Sequence, residues 1–152
     1  MQLVIVESPV KARTLAKFLG SGFSVLPTMG HIRDLPERKL GIKIVKSEEL
    51  SVVSYKFIPE YVLMPKKKEA IEALKREAKK ATKIYLATDP DREGEAIAWH
   101  TAQILGGAPV RIAFHEITKS AIEKALSTPG EVNLQLVDAQ QGRRVLDRLV
   151  GY

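Results

Sequence analysis

The stretch Ile84-Tyr-Leu-Ala-Thr-Asp-Pro-Asp-Arg-Glu-Gly-Glu95 decides how this chain is read. Its first five residues are a short continuous run without polar alternation, the pattern of a strand buried on both faces of a parallel sheet. Where that run ends, four carboxylates (Asp89, Asp91, Glu93 and Glu95) fall within seven residues. Ile97, Thr101, Ile104 and Leu105 then share one helical face as far as Gly106-Gly107. A buried strand therefore passes through an acidic turn into a helix. In open parallel sheets ligands collect beyond the carboxyl ends of the strands, so this turn is the first place to look for chemistry.

The same pattern recurs on either side. Leu3-Val-Ile-Val6 predicts a strand, Glu7 ends it, and Ser8-Pro9 opens a helix with a serine cap and a proline in its first turn. Ala12, Leu15, Ala16 and Leu19 lie on one face of that helix, and Gly20 stops it. Phe23–Thr28 predicts a second strand leading to Met29-Gly30-His31, and residues 36–64 read as irregular strands and loops. Lys66–Ala81 predicts a helix with Ile71, Leu74, Ala78 and Ala81 inward, a basic opposite face, and Glu72 placed to pair with Arg76. Val110–Phe114 predicts a strand, and Thr118 caps a helix through Leu126. Alternating strands and helices imply an α/β fold with a parallel sheet and right-handed crossovers. Ser127-Thr-Pro-Gly130 reads as a linker, which divides the chain into residues 1–128 and 129–152, and Asn133–Val150 reads as one helix of a following domain.

Composition narrows the class. The 152 residues are 45% hydrophobic and 28% charged, which suits a globular domain with a real core. The longest stretch free of charge, Ala96–Val110, is too short and polar to span a bilayer, and the N-terminal apolar run lacks the basic flank of a secretory signal. No cysteine is present, which excludes disulfides and thiolate zinc sites and suits a reducing interior. The net charge is +6, and residues 1–76 hold all of the excess, 14 basic against 8 acidic side chains. A basic surface of this kind suits a polyanion such as nucleic acid.

Glu7 and the acidic turn belong to the same edge of the sheet, so Glu7, Asp89, Asp91 and Glu93 can converge. Like charges held that close repel unless a cation intervenes, which points to a hard divalent ion with oxygen ligands, magnesium by default. The plainer account, acidic residues favouring a helix N-terminus, suits one or two carboxylates but not four with a helix-weakening Gly94. Lys11 is one turn into the first helix, whose start attracts phosphate, and His31 stands in a loop where it can donate to phosphate or shuttle a proton. His100 and His115 read as structural. Gln140, Arg143, Arg144, Asp147 and Arg148 share the polar side of the last helix, opposite Val137, Val145, Leu146 and Leu149. By itself that side reads as a solvated face with an Arg143–Asp147 pair.

Five ordered motifs then make the chain recognisable: VIVESPVKARTLAKFLG at 4–20, GHIRDLP at 30–36, ATDPDREGEAIAWH at 87–100, FHEITKSAI at 114–122 and DAQQGRRVLDRLVGY at 138–152. They resemble the successive motifs of bacterial-type type IA DNA topoisomerases. The first four resemble that family's Toprim domain, a Rossmann-like magnesium-binding α/β module, and the fifth the start of its next, DNA-gripping domain. The resemblance implies that Glu7 transfers a proton at the leaving deoxyribose oxygen and helps hold metal, that Asp89, Asp91 and Glu93 hold Mg2+, and that Lys11 stabilises the scissile phosphate. It implies that His31 contacts DNA in the active site, that Arg92 is among the DNA-binding residues, and that Arg143 and Asp147 recognise a nucleotide upstream of the cut. The implied activity is relaxation of negatively supercoiled DNA through a 5′-phosphotyrosine intermediate, and single-stranded DNA is the implied partner. A monomer in the cytoplasm, associated with the nucleoid, is expected.

Type IA enzymes carry their nucleophilic tyrosine in a separate downstream domain, and none of Tyr55, Tyr61, Tyr85 or Tyr152 lies in such a motif. The expectation is a segment that neither cuts nor relaxes DNA by itself. The alternatives are a stand-alone Toprim nuclease or primase module, which does not share the last two motifs, and the matching segment of reverse gyrase or topoisomerase III. Asp-Pro-Asp at 89–91 argues against the last, where Asp-Ala-Asp is usual.

Overall fold

A computed structural model of the chain describes residues 1–151; Tyr152, which closes the fifth motif, lies outside the described residues. Four parallel strands form the main sheet: β1 (Gln2–Val6), β2 (Phe23–Pro27), β7 (Lys83–Leu86) and β8 (Val110–Arg111), in the order β2-β1-β7-β8. Between them run α1 (Pro9–Leu19), a minor strand pair β3 (Arg33–Asp34) and β6 (Val62–Leu63), a hairpin β4 (Ile42–Glu49) and β5 (Val52–Pro59), and α2 (Lys68–Lys80). The chain continues through α3 (Arg92–Leu105), α4 (Lys119–Ser127) and α5 (Leu134–Gly151). The α/β fold with a parallel sheet expected from the alternation is the one observed.

The continuous apolar run of β1 explains why helices cover both faces. Successive side chains of a strand point to opposite sides. Val4 and Val6 accordingly enter one core with Leu15, Ile112, Phe114 and Ile122, while Leu3 and Ile5 enter another with Leu74, Leu86 and Ala98. Each such fully buried aliphatic side chain contributes about 1.5–3 kcal/mol. Ser8 caps α1 by accepting from the Lys11 N–H at 3.2 Å, and Gly20 ends it at φ 76°. Thr118 caps α4 in the same way, through the Ala121 N–H.

The structure departs from the sequence reading in several places. Residues 42–59 form a regular hairpin with eight opposed pairs, from Ile42–Pro59 to Glu49–Val52. Its turn is Leu50-Ser51, both at positive φ (49° and 66°), and it lacks the Asn-Gly or Asp-Gly that marks such turns in a sequence. The strand expected over Val110–Phe114 pairs only at Val110 and Arg111, opposite Tyr85 and Leu86 where β7 ends, and Arg111 also bridges to Gly130 on its other side. Glu72 and Arg76 form no ion pair, and the helix they share begins at Lys68 after a tight turn over Pro65–Lys67.

The last helix is docked on the domain. Asn133 accepts from the Leu136 N–H at 3.2 Å to cap α5, and Val137 is 1% exposed. Leu146 and Leu149, expected on an apolar side, are 56% and 40% exposed. Arg144 makes a two-pronged bond to Asp34 (2.8 and 3.0 Å), and Arg148 donates to the carbonyls of Pro36, Lys39 and Leu40. No helix among the described residues is long and apolar enough to cross a membrane.

Candidate functional site

The carboxyl ends of β1 and β7 bring Glu7 and Asp89 together. Glu7 accepts from the Asp89 N–H at 3.2 Å, and Lys11 places its ammonium between the two carboxylates, 3.2 Å from Glu7 and 3.0 Å from Asp89. Lys11 also donates to the Ala87 carbonyl at 2.9 Å and lies 5.3 Å from the Phe114 ring centre. The lysine that a lone helix position would leave in water is therefore held at the sheet edge, its side chain 10% exposed. Beside it is a cleft of about 340 Å3 lined by Glu7, Lys11, Asp89, Phe114 and His115. His115, read from the sequence as structural, is exposed at this cleft.

The acidic turn is shaped by Gly94. A Cβ at this position would lie 1.9 Å from the Asp89 carbonyl oxygen, so only glycine lets the first turn of α3 fold back against the turn. Thr88 donates to the Gly94 carbonyl at 2.6 Å, and the Asp91 carboxylate caps α3 by accepting from the Gly94 N–H at 2.7 Å. Glu93 meets His31 at 2.7 Å. His31 is brought there by Met29 and Gly30, both at positive φ (63° and 84°), with the Gly30 N–H donating to the Glu7 carbonyl. Of the four expected metal carboxylates, Glu7 and Asp89 share Lys11, Asp91 caps α3 and Glu93 meets His31, and no three metal-ligating side chains among the described residues form a ready cluster. Their chemistry still suits a hard cation: all offer carboxylate oxygen, and the Asp89 and Glu93 side chains are each 58% exposed.

A second pocket, of about 320 Å3, joins His31 and Glu93 to Arg143 and Asp147. Arg143 and Asp147 pair at 3.3 Å and are more than half exposed. In the fifth motif Arg144 and Arg148 dock the helix, and Arg143, Arg144 and Asp147 line the pocket. Arg92 is exposed at the start of α3.

The pocket floor was not foreseen. Arg33 donates to the His100 Nδ1 at 2.8 Å and lies 5.3 and 5.1 Å from the Tyr61 and Trp99 rings. Burial, with the nearby positive charge of Arg33, pushes His100 down to about 3, so the ring is neutral and accepts at Nδ1. Burial and the Asp34 charge raise Tyr61 to about 12. Burial works to raise Asp34, but the bonds from Arg144 and the Leu35 N–H outweigh it and hold this carboxyl below its ordinary value. The buried Gln140 Oε1 and Tyr61 hydroxyl in this floor have no partner. Tyr61 carries no local sequence signal, and Gln140, read from the sequence as part of the polar side of the last helix, is buried here, because the floor is assembled from different segments.

With this geometry in view, the Toprim domain model matches residues 2–117. The chain belongs to the Toprim family. It is 52% identical over 153 aligned residues to DNA topoisomerase 1 of Campylobacter jejuni, a match that covers 99% of this chain and 21% of that protein. A solved structure of full-length topoisomerase I from Thermotoga maritima superposes with a TM-score of 0.83 at 42% identity, over 97% of this chain and 24% of that one. This Toprim domain is homologous to bacterial type IA DNA topoisomerase I, and the chain spans roughly a fifth to a quarter of the length of these relatives.

Proposed function

We propose that this Toprim domain is the magnesium-binding part of a type IA DNA topoisomerase, which relaxes negatively supercoiled DNA by cutting and rejoining one strand. The observation that carries the reading is the Lys11 ammonium held between Glu7 and Asp89, next to a pocket that joins Glu93 and His31 to Arg143 and Asp147. In the proposed cut a tyrosine hydroxyl releases its proton to water as its oxygen bonds to phosphorus, the bond to the 3′ oxygen breaks, and that oxygen takes a proton from Glu7; rejoining reverses each step. Lys11 neutralises the phosphate from its anchored position, and His31 with Arg143 and Asp147 holds the strand. A bound magnesium ion would offset phosphate charge, and Asp89, Asp91 and Glu93, with Glu7 beside them, would hold it.

The tyrosine is proposed to come from another part of the protein. Tyr85 is in the core, the Tyr61 hydroxyl is buried in the pocket floor, and Tyr55 is on the hairpin. The reading further takes α5 as the opening of a separate DNA-gripping domain, and the protein as a monomer working at the nucleoid.

Magnesium titration tests the site. The Asp89→Asn/Asp91→Asn chain keeps an oxygen that can cap α3 but loses two charges, so magnesium affinity should fall at least tenfold. Unchanged affinity would overturn the assignment.

A further inference from the structure

Residues 66–83 hold 8 basic and 3 acidic side chains, a net +5 out of +6 for the whole chain. This segment is α2 with its flanks. Lys68, Lys75 and Lys79 are spaced by seven and four and lie along one line of the helix, and Arg76 and Lys80 form a second line beside it. All five are exposed, as is Lys83 just past the end, and none of them is in an ion pair among the described residues. Glu69 and Glu72 sit toward the N-terminal end, and only Glu77 opposes the five basic side chains of residues 75–83, so the positive charge concentrates on the C-terminal half. Lys75 and Lys79 border an open groove of about 310 Å3 whose far wall includes the turn Gly106-Gly107, where no side chain stands in the way.

The helix runs away from the catalytic edge. Its start is tied there by Lys67, which donates to the Met29 carbonyl, and its end lies beside Met1, where Thr82 donates to the Met1 carbonyl at 2.8 Å. Thirteen residues at a rise of 1.5 Å make a row about 20 Å long, the span of about six base pairs. The row has no exposed aromatic ring: Tyr85, beneath Lys83, is 5% exposed. Single-strand grooves combine charge with aromatic stacking platforms, whereas a duplex exposes phosphates alone along its backbone.

We propose that the basic rows of α2 bind the phosphate backbone of duplex DNA, a surface separate from the strand-holding pocket and useful for the double-helical flank of a site being cut. The proposal rests on the DNA-handling reading above. It is tested on the 152-residue chain by comparing Lys75→Gln/Lys79→Gln/Lys80→Gln with a control of equal charge, Lys39→Gln/Lys43→Gln/Lys56→Gln, against a duplex and a single strand across a salt series. The α2 variant should lose at least tenfold in duplex affinity, and its plot of log affinity against log salt should flatten by about one unit per lost contact. The control and the single-strand affinity of the α2 variant should change much less. Equal losses in both variants, no loss in the α2 variant, or a greater loss for the single strand would each overturn the proposal. Absence of any DNA binding by the unmutated chain would instead defeat the functional reading itself.

Discussion

Glu95 and Arg111 face each other in the interior at 3.1 Å, both nearly out of reach of water, and through them the acidic turn is joined to the last helix. Arg111 donates to the carbonyls of Leu86, Ile112 and Asp89, while the second oxygen of Glu95 accepts from the Asn133 N–H at 2.9 Å. Burial lowers Arg111 from its ordinary value, and Glu95 opposes that shift. The most buried carboxylate of the acidic motif therefore serves to position its exposed neighbours.

Removing one partner of this pair leaves the other charge buried. Arg111→Met should cost about 3–5 kcal/mol, more than the double variant Glu95→Leu/Arg111→Met, in which no buried charge is stranded. Denaturant unfolding of the variants measures the difference, and equal losses would mean that the pair is not coupled.

Gly94 and Gly142 are both helical, yet their substitutions should move stability in opposite directions. Gly94→Ala forces backbone away from a 1.9 Å overlap with the Asp89 carbonyl and should cost about 1–3 kcal/mol, weakening magnesium binding with it. At Gly142 an added Cβ meets nothing within 4 Å, so Gly142→Ala should gain up to about 1 kcal/mol from helix propensity. Thermal melting distinguishes them.

His100 makes stability depend on pH. Its native value, about 3, lies below the ordinary 6.5, so the unfolded chain binds a proton that the folded chain refuses. The contribution is present above pH 6.5 and is lost as pH falls toward 3. Between pH 7 and pH 5 the loss should be about 2 kcal/mol. His100→Asn, which keeps an acceptor for Arg33, should remove most of that slope in unfolding experiments; an unaltered slope would assign it to other groups.

Arg143 and Arg144 are adjacent and should fail differently. Arg144→Ala breaks the two bonds to Asp34, should cost about 1 kcal/mol given partial exposure, and should loosen α5 as seen by hydrogen exchange. Arg143→Ala, on an exposed pair, should leave stability within about 0.5 kcal/mol while reducing single-strand binding.

What the sequence determined by itself was local. The β1–Glu7–Ser8 and β7–Asp89–α3 junctions were legible because buried strands, capping residues and stop glycines act over a few neighbouring positions, and the motifs repeat a known order. Which carboxylate does what was decided by the tertiary structure. Asp91 caps a helix, Glu93 meets His31 from 62 positions away, Asp89 shares Lys11 with Glu7, and Glu95 turns inward to Arg111. Each choice depends on a partner delivered by another strand or loop, and four acidic side chains in a row look alike until packing fixes which of them is buried. The same holds for the pocket floor and for the Leu50-Ser51 turn, where the pairing of two long strands holds a turn that its own residues do not favour.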